Sequence, residues 1–341
     1  MNNKFKNKPM MMDSAQFDAL SDYEWLEACE KNLTYNICNR VAIIPVYGLL
    51  TKRTEFYAPI FGATSYEEIY DAIYRAQEDD AVDSILLDID SPGGEVGGLF
   101  DLVDFIYKSR GIKPIFSFAN DRAFSAAYAI ASATSKIFVN RTSGVGSVGV
   151  IATHVDVSEA DKKEGMKFTT VFAGSKKNDL SPHEPISSAA YQELQSEVNR
   201  LYGIFVETVA RNRNLSVEQV KATQAGTYFA ENAIEVGFAD ELIDNEELFK
   251  KLIKYGEKMN EELEKYRSNV LEISKLCRLA HAENKISKFI EEDLSPEQVK
   301  NALLEMHVHN ESKEIFSAIY HKESVQENPV IAAAKQRKRD A

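Results

Sequence analysis

Between residues 40 and 245 the chain alternates two rhythms of apolar and polar positions. Val41 to Val46, Ser84 to Ile89 (SILLDI), Pro114 to Phe118 and Lys136 to Val139 are short apolar runs with the length and composition of buried strands. Helical spacing fills the intervals. Ile69, Ile73 and Ala76 share one face of a helix that starts at Ser65, where Glu68 completes a capping box. Further helices are predicted over Leu99 to Tyr107 and Ser125 to Ala133. A long amphipathic one follows from Tyr191 to Asn212, with Leu194, Val198, Leu201, Phe205 and Val209 in its stripe. Strands and helices taking turns in this way imply an α/β fold with a largely parallel sheet.

The texture changes at both ends. Residues 1–38 form a polar lead-in with one short amphipathic stretch around Phe17 to Cys29, and a domain-sized block runs over 39–245. Residues 246–341 are charged, helix-prone and nearly free of glycine, with Ser216-Val217-Glu218-Gln219 before them and Ser295-Pro296-Glu297-Gln298 within them as further helix starts. In the segment Ile273 to Ile290, Ile273, Leu276, Cys277, Leu279, Ile286 and Ile290 could supply a buried stripe.

Composition narrows the function classes. The net charge of −13 argues against nucleic acid as the main partner, because phosphate binding needs a basic face. Its acidity lies ahead of residue 246, where the charge then becomes nearly balanced. The three cysteines, Cys29, Cys38 and Cys277, have no paired or metal-ligand spacing, which fits reduced thiols in a cytoplasmic setting. No signal-peptide apolar region follows Lys4, Lys6 and Lys8. The longest apolar run, Val41 to Leu50, is too short to span a bilayer, so no membrane association is expected. No metal or nucleotide motif appears, and no cofactor is expected.

Three segments could carry chemistry. Asp90-Ser91-Pro92-Gly93-Gly94 ends a strand, the edge of an α/β sheet where ligands bind, and paired glycines let backbone N–H groups turn toward a substrate oxyanion. The same sequence is also a common turn. In Ala123-Phe124-Ser125-Ala126-Ala127, a serine stands at a strand-to-helix junction beside the free N–H groups of a helix start, including that of Ala126. Serine is equally a favoured N-cap. Gly174-Ser175-Lys176-Lys177-Asn178-Asp179 offers two lysines, either of which reads by itself as a solvated surface charge. A lysine acts as a base only where burial lowers its pKa.

In order and spacing these segments resemble the SPGG, SAA and G-x-x-K motifs of the S49 serine peptidases, the signal-peptide-peptidase family of ClpP/crotonase-like fold. Gly144-Val145-Gly146-Ser147-Val148-Gly149-Val150 is similar to that family's G-S-I-G-V segment, and Ala233 with Gly237-Phe238-Ala239-Asp240 to its domain ending. The likeness covers roughly 40 to 245. It is nearest to the bacteriophage head-maturation branch, through Lys177-Asn178-Asp179 and the lead-in Pro9-Met10-Met11-Met12. This resemblance implies a Ser–Lys dyad, with Ser125 as nucleophile and Lys177 as general base. It also implies an oxyanion hole from the N–H groups of Gly93, Gly94 and Ala126. Ser147 would orient the lysine amine, or merely form a turn. Lys176 is then a solvated neighbour. The implied substrates are capsid and scaffold proteins inside a procapsid, together with the chain itself. Residues 246–341 would serve as a scaffold or assembly segment, and the protein would be a homo-oligomer.

Three other readings stay open at this point. Since ClpP uses a Ser-His-Asp triad, His154 and His183 are alternative bases; a histidine base would give an ascending pH limb near 6 to 7. A bacterial cytoplasmic peptidase and a non-catalytic scaffold of the same fold are the alternatives to phage head maturation.

Overall fold

The computed structural model describes residues 10–12, 35–53 and 62–306. The amphipathic stretch expected around Phe17 to Cys29 lies outside the described residues. In chain order the strands are β1 (Met10–Met12), β2 (Asn36–Cys38), β3 (Val41–Thr51), β4 (Thr64–Ser65), β5 (Ser84–Glu95), β6 (Ile115–Phe124), β7 (Lys136–Val139), β8 (Gly144–Gly146), β9 (Thr227–Phe229) and β10 (Glu241–Leu242). The helices are α1 (Tyr66–Glu78), α2 (Leu99–Ser109), α3 (Ala126–Ser132), α4 (Ser158–Lys163), α5 (Ser188–Arg213), α6 (Val217–Ala222), α7 (Ala230–Glu235), α8 (Asn245–Leu279) and α9 (Ile286–Glu291). A further helix covers 296–306.

Among the described residues the strands form one mixed, mostly parallel sheet whose spine runs β10-β7-β6-β5-β3-β2. The expected α/β class is the observed one. β3, β5, β6 and β7 are mutually parallel, while β2 and β1 run antiparallel to their partners. Each central strand is buried on both faces, which is why it reads as a near-continuous apolar run rather than an alternating one.

One face of the sheet packs under α1, α2, α3 and α5 around a large core including Ile44, Ile73, Ile89, Val103, Tyr128, Phe205 and Phe238. On the other face Leu86, Phe116 and Phe138 meet Leu248 and Leu252 from the start of α8. The described residues fall into two compact units, divided between 258 and 259. The first unit therefore runs beyond the compositional change near 245, because those two leucines of the charged region are needed to close the sheet.

Local signals fixed several helix starts. Ser65 and Ser216 both form complete capping boxes, with Glu68 and Gln219. Ser295 and Gln298 exchange the same reciprocal bonds at 2.8 and 3.3 Å. In the second unit Ile273, Cys277, Phe289, Val299 and Leu303 make a small core of their own. Leu279 does not join it as expected: it is 81% exposed, at the last residue of α8.

Candidate active site

β6 ends at Phe124 and α3 begins at Ala126, leaving Ser125 alone to turn the chain from strand to helix. Its backbone stands at φ 54° and ψ −117°. A capping serine needs extended backbone angles and accepts an N–H from the helix. Ser125 has neither the angles nor the bond, so its position is not explained by capping. Positive φ at a residue with a Cβ is strained, and a strained strand-to-helix turn is how a nucleophile is lifted off a sheet edge.

The surroundings over-determine that turn. The Ser125 N–H donates to the Gly146 carbonyl at 2.8 Å, and its own carbonyl accepts the Ala129 N–H at 3.0 Å. Every residue of α3 is buried, which its small side chains (AAYAIAS) permit. Tyr128 ties the helix down by donating to the Phe238 carbonyl at 3.1 Å, and Asn212 of α5 donates to Ser132 at 3.0 Å. Ser125 itself is 1% exposed.

The glycine segment reaches the same end of the sheet. Register pairs Ser91 with Ala123 across β5 and β6, and Gly93 and Gly94 with Leu49 and Leu50 across β5 and β3. Only glycine fits at 94, because a Cβ there would stand 1.9 Å from the Leu50 carbonyl oxygen. Gly93 has φ 107°, and its N–H donates to Ser91 Oγ at 3.1 Å. Ser91 in turn donates to the Gly48 carbonyl at 2.6 Å, at the irregularity between Tyr47 and Leu49. Sequence reasoning assigned Ser91 no role beyond its motif, yet it links the bulge in β3 to the glycine turn. The N–H of Ala126 belongs to the first turn of α3, where helices have no internal acceptor.

β8 completes this end by pairing in parallel with Arg122–Phe124 and antiparallel with β9. A Cβ on Gly146 would meet the Gly226 carbonyl at 2.6 Å, so the residue that accepts from Ser125 is itself held against the β9 approach. Ser147 follows with φ 56°, half-buried, its N–H donating to the Gly226 carbonyl at 2.9 Å. Gly93, Gly94, Ser125, Ala126 and Ser147 are thus gathered by the strand registers.

Lys177 is not gathered with them. Residues 152–186 carry only the short α4 and are otherwise irregular, and 162–177 are exposed throughout. The Lys177 N–H closes a turn onto the Gly174 carbonyl at 3.0 Å, while its side chain stays exposed. No hydrogen bond joins it to Ser125 or Ser147 among the described residues. The two lysines nevertheless differ. Lys176 is ion-paired with Glu193 of α5, and that hydrogen bond holds its pKa above the ordinary lysine value, which suits it poorly to accepting a proton.

Neither histidine reaches the nucleophile through its recorded contacts. His154 Nε2 lies 2.9 Å from the Ser181 carbonyl. His183 Nδ1 lies 2.8 Å from Asp161 Oδ2, with the Phe168 ring stacked on it. Both pairings tie the 152–186 segment to itself. Among the described residues there is no cluster of metal-ligating side chains and no helix long and apolar enough to cross a membrane.

Against known proteins, residues 108–259 match the profile of Peptidase family S49, a span that holds Ser125, Ala126, Ser147 and Lys177 but not Gly93 or Gly94. Capsid assembly protease C of Escherichia phage lambda is 38% identical over 212 residues, 62% of this chain and 48% of that protein. Head-tail preconnector protein GP5 of Enterobacteria phage P21 is 38% identical over 210 residues, 62% of this chain and 42% of that protein. The chain thus spans less than half the length of either relative. A ClpP1 mutant from Listeria monocytogenes superposes on 61% of the chain and 92% of its own, with a TM-score of 0.37 and 14% identity.

Proposed function

The chain carries a peptidase S49 domain, and from that premise we propose that it is a serine endopeptidase with Ser125 as nucleophile and Lys177 as general base. The observation that carries the reading is the strained turn at Ser125, which backbone bonds and the surrounding core hold in place although its side chain does not cap the helix it starts. In the proposed reaction neutral Lys177 takes the Ser125 hydroxyl proton as Oγ attacks a peptide carbonyl. The oxyanion is met by N–H groups of Gly93, Gly94 and Ala126, the Gly93 N–H turning away from Ser91 as it engages. The lysine then hands its proton to the departing amine, and water releases the acyl group through the same base. Ser147 orients the amine.

A lysine base has to be buried, and Lys177 is exposed in the single chain. The missing cover is therefore a second copy. Exposed apolar side chains along the same segment favour this: Phe168 and Phe172 are each about half exposed and Val171 is 93% exposed. Val150, Ile151, Leu194 and Val198 line an adjacent open groove beside α5. In this reading the site is complete only in a homo-oligomer.

For substrates, the name of the phage lambda relative, a capsid assembly protease, favours capsid assembly as the setting. On this reading the enzyme cuts capsid and scaffold proteins, with residues 246–341 as an assembly segment whose part beyond the sheet-closing Leu248 and Leu252 the enzyme itself removes. Intact-mass spectrometry of concentrated wild type beside Ser125→Ala tests this. The expected result is a C-terminal fragment shed by wild type alone. Equal cutting of both chains would remove Ser125 from the mechanism, and two intact chains would withdraw self-processing.

A further inference from the structure

β5 has two edges, and at Gly93 and Gly94 one of them is held by Leu49 and Leu50 of β3. The other edge belongs to β6 only as far as the Ser91–Ala123 pair, after which β6 turns away through Ser125 into α3. Past that point the free edge of β5 faces the nucleophile's end of the sheet. Strand β1 occupies it: Met12 pairs with Gly93, Met11 with Gly94 and Met10 with Glu95, antiparallel.

An exposed strand edge beside a nucleophile is where an extended peptide adds by main-chain hydrogen bonding. Direction identifies which half of a substrate β1 imitates. Running antiparallel to β5, the chain travels from Glu95 toward Gly93, and so toward the Ser91–Ala123 pair just ahead of Ser125. A substrate lying there would present its scissile carbonyl at its C-terminal end, as β1 does, so β1 has the polarity of the acyl-side residues. It also lies along the two glycines whose N–H groups the oxyanion needs.

We propose that Met10–Met12 is a built-in occupant of the acyl-side half of the peptide groove, which must leave β5 before an extended substrate enters. The proposal rests on the reading of Ser125 as nucleophile. It makes the S49 domain self-occluded, and it identifies the acyl-side ligand as an extended segment that adds to β5 by main-chain hydrogen bonds. As β1 touches the edge through its backbone, its grip is that of three strand residues, weak enough for a longer substrate or a rearrangement in assembly to displace.

The test uses the full chain and a Met11→Pro/Met12→Pro double variant. Successive N–H groups point to opposite sides of a strand, so adjacent prolines remove a ladder donor whichever register face is bonded. Two quantities are read: hydrogen exchange at the Gly94 and Glu95 amides, and the rate at which a fluorophosphonate labels Ser125, followed by mass. The expected outcome is faster exchange in the variant and labelling accelerated about tenfold, the factor for a groove open in a tenth of wild-type molecules. A synthetic peptide of residues 8–14 should slow the variant's labelling again. Equal exchange in both chains, or equal labelling of both at Ser125, would overturn the proposal. Differing exchange with no labelling of either chain would instead bring down the Ser125 reading, and with it the claim that substrate is what β1 excludes.

Discussion

The two halves of the proposed dyad sit in opposite kinds of structure. Ser125 is 1% exposed, fixed by backbone bonds to Gly146 and Ala129 and backed by a helix whose every residue is buried. Lys177 lies in a stretch that is exposed from 162 to 177, held mainly by its own turns and by the His154–Ser181 and His183–Asp161 contacts. The nucleophile's geometry is a property of one chain's core. The base's environment depends on whatever comes to cover it. On the proposed reading such a division would couple activity to assembly, since a chain could fold with its strained serine in place and still lack a working base.

Mutations can break this contrast in a graded way. The largest effect is expected at the dyad: Ser125→Ala and Lys177→Ala should each lower cleavage by at least about a thousandfold, whereas Lys176→Ala, which loses only its partner Glu193, should remain active. A loss confined to Lys176→Ala would move the base by one position. Next comes Gly94→Ala, which drives a Cβ into the Leu50 carbonyl oxygen and should cost about 3 kcal/mol in denaturant unfolding. Val171→Asp should do the reverse. Unfolding stability should stay within about 0.5 kcal/mol of wild type. Activity and the sedimenting mass of the oligomer should both fall, activity by about tenfold or more if Val171 is an interface anchor.

The smallest effect is expected at Asp88, on the sheet but outside the site. Burial, opposed by hydrogen bonds from Tyr47 and Asn120, raises its carboxyl above the ordinary carboxylate range. The folded chain therefore keeps this proton to a higher pH than the unfolded chain does. Stability is lost as pH rises from the ordinary carboxylate pKa through the raised one, and the loss remains at neutral pH. Asp88→Asn removes that loss, so the variant should gain stability at pH 7 relative to pH 4 while cleavage is unchanged. An unaltered pH dependence of unfolding would show that Asp88 is not the group responsible.

What the sequence made legible follows the same division. Capping at Ser65, Ser216 and Ser295 is written within four residues, and each start is where the spacing puts it. The buried strands announce themselves by composition. Their ends do not: β5 continues to Glu95 and β6 to Phe124 because Leu49, Leu50 and β8 supply partners that are distant in the chain. The seat of β1 on Gly93–Glu95 was similarly illegible, since three methionines have no alternation to read. Ser125 could be singled out from its neighbours but not separated from a cap until its backbone angles were known. Lys177 could be chosen over Lys176 only by resemblance; the ion pair to Glu193 adds an independent physical reason.

The most direct test of the central claim follows fluorophosphonate adducts by mass over a range of protein concentrations, in wild type, Ser125→Ala and Lys177→Ala. The account predicts one adduct per wild-type chain, located at Ser125, forming faster as the protein is concentrated into its oligomer. It predicts no adduct in Ser125→Ala and strongly slowed labelling in Lys177→Ala at every concentration. An adduct at another residue, or a Lys177→Ala chain labelled as fast as wild type, would contradict it.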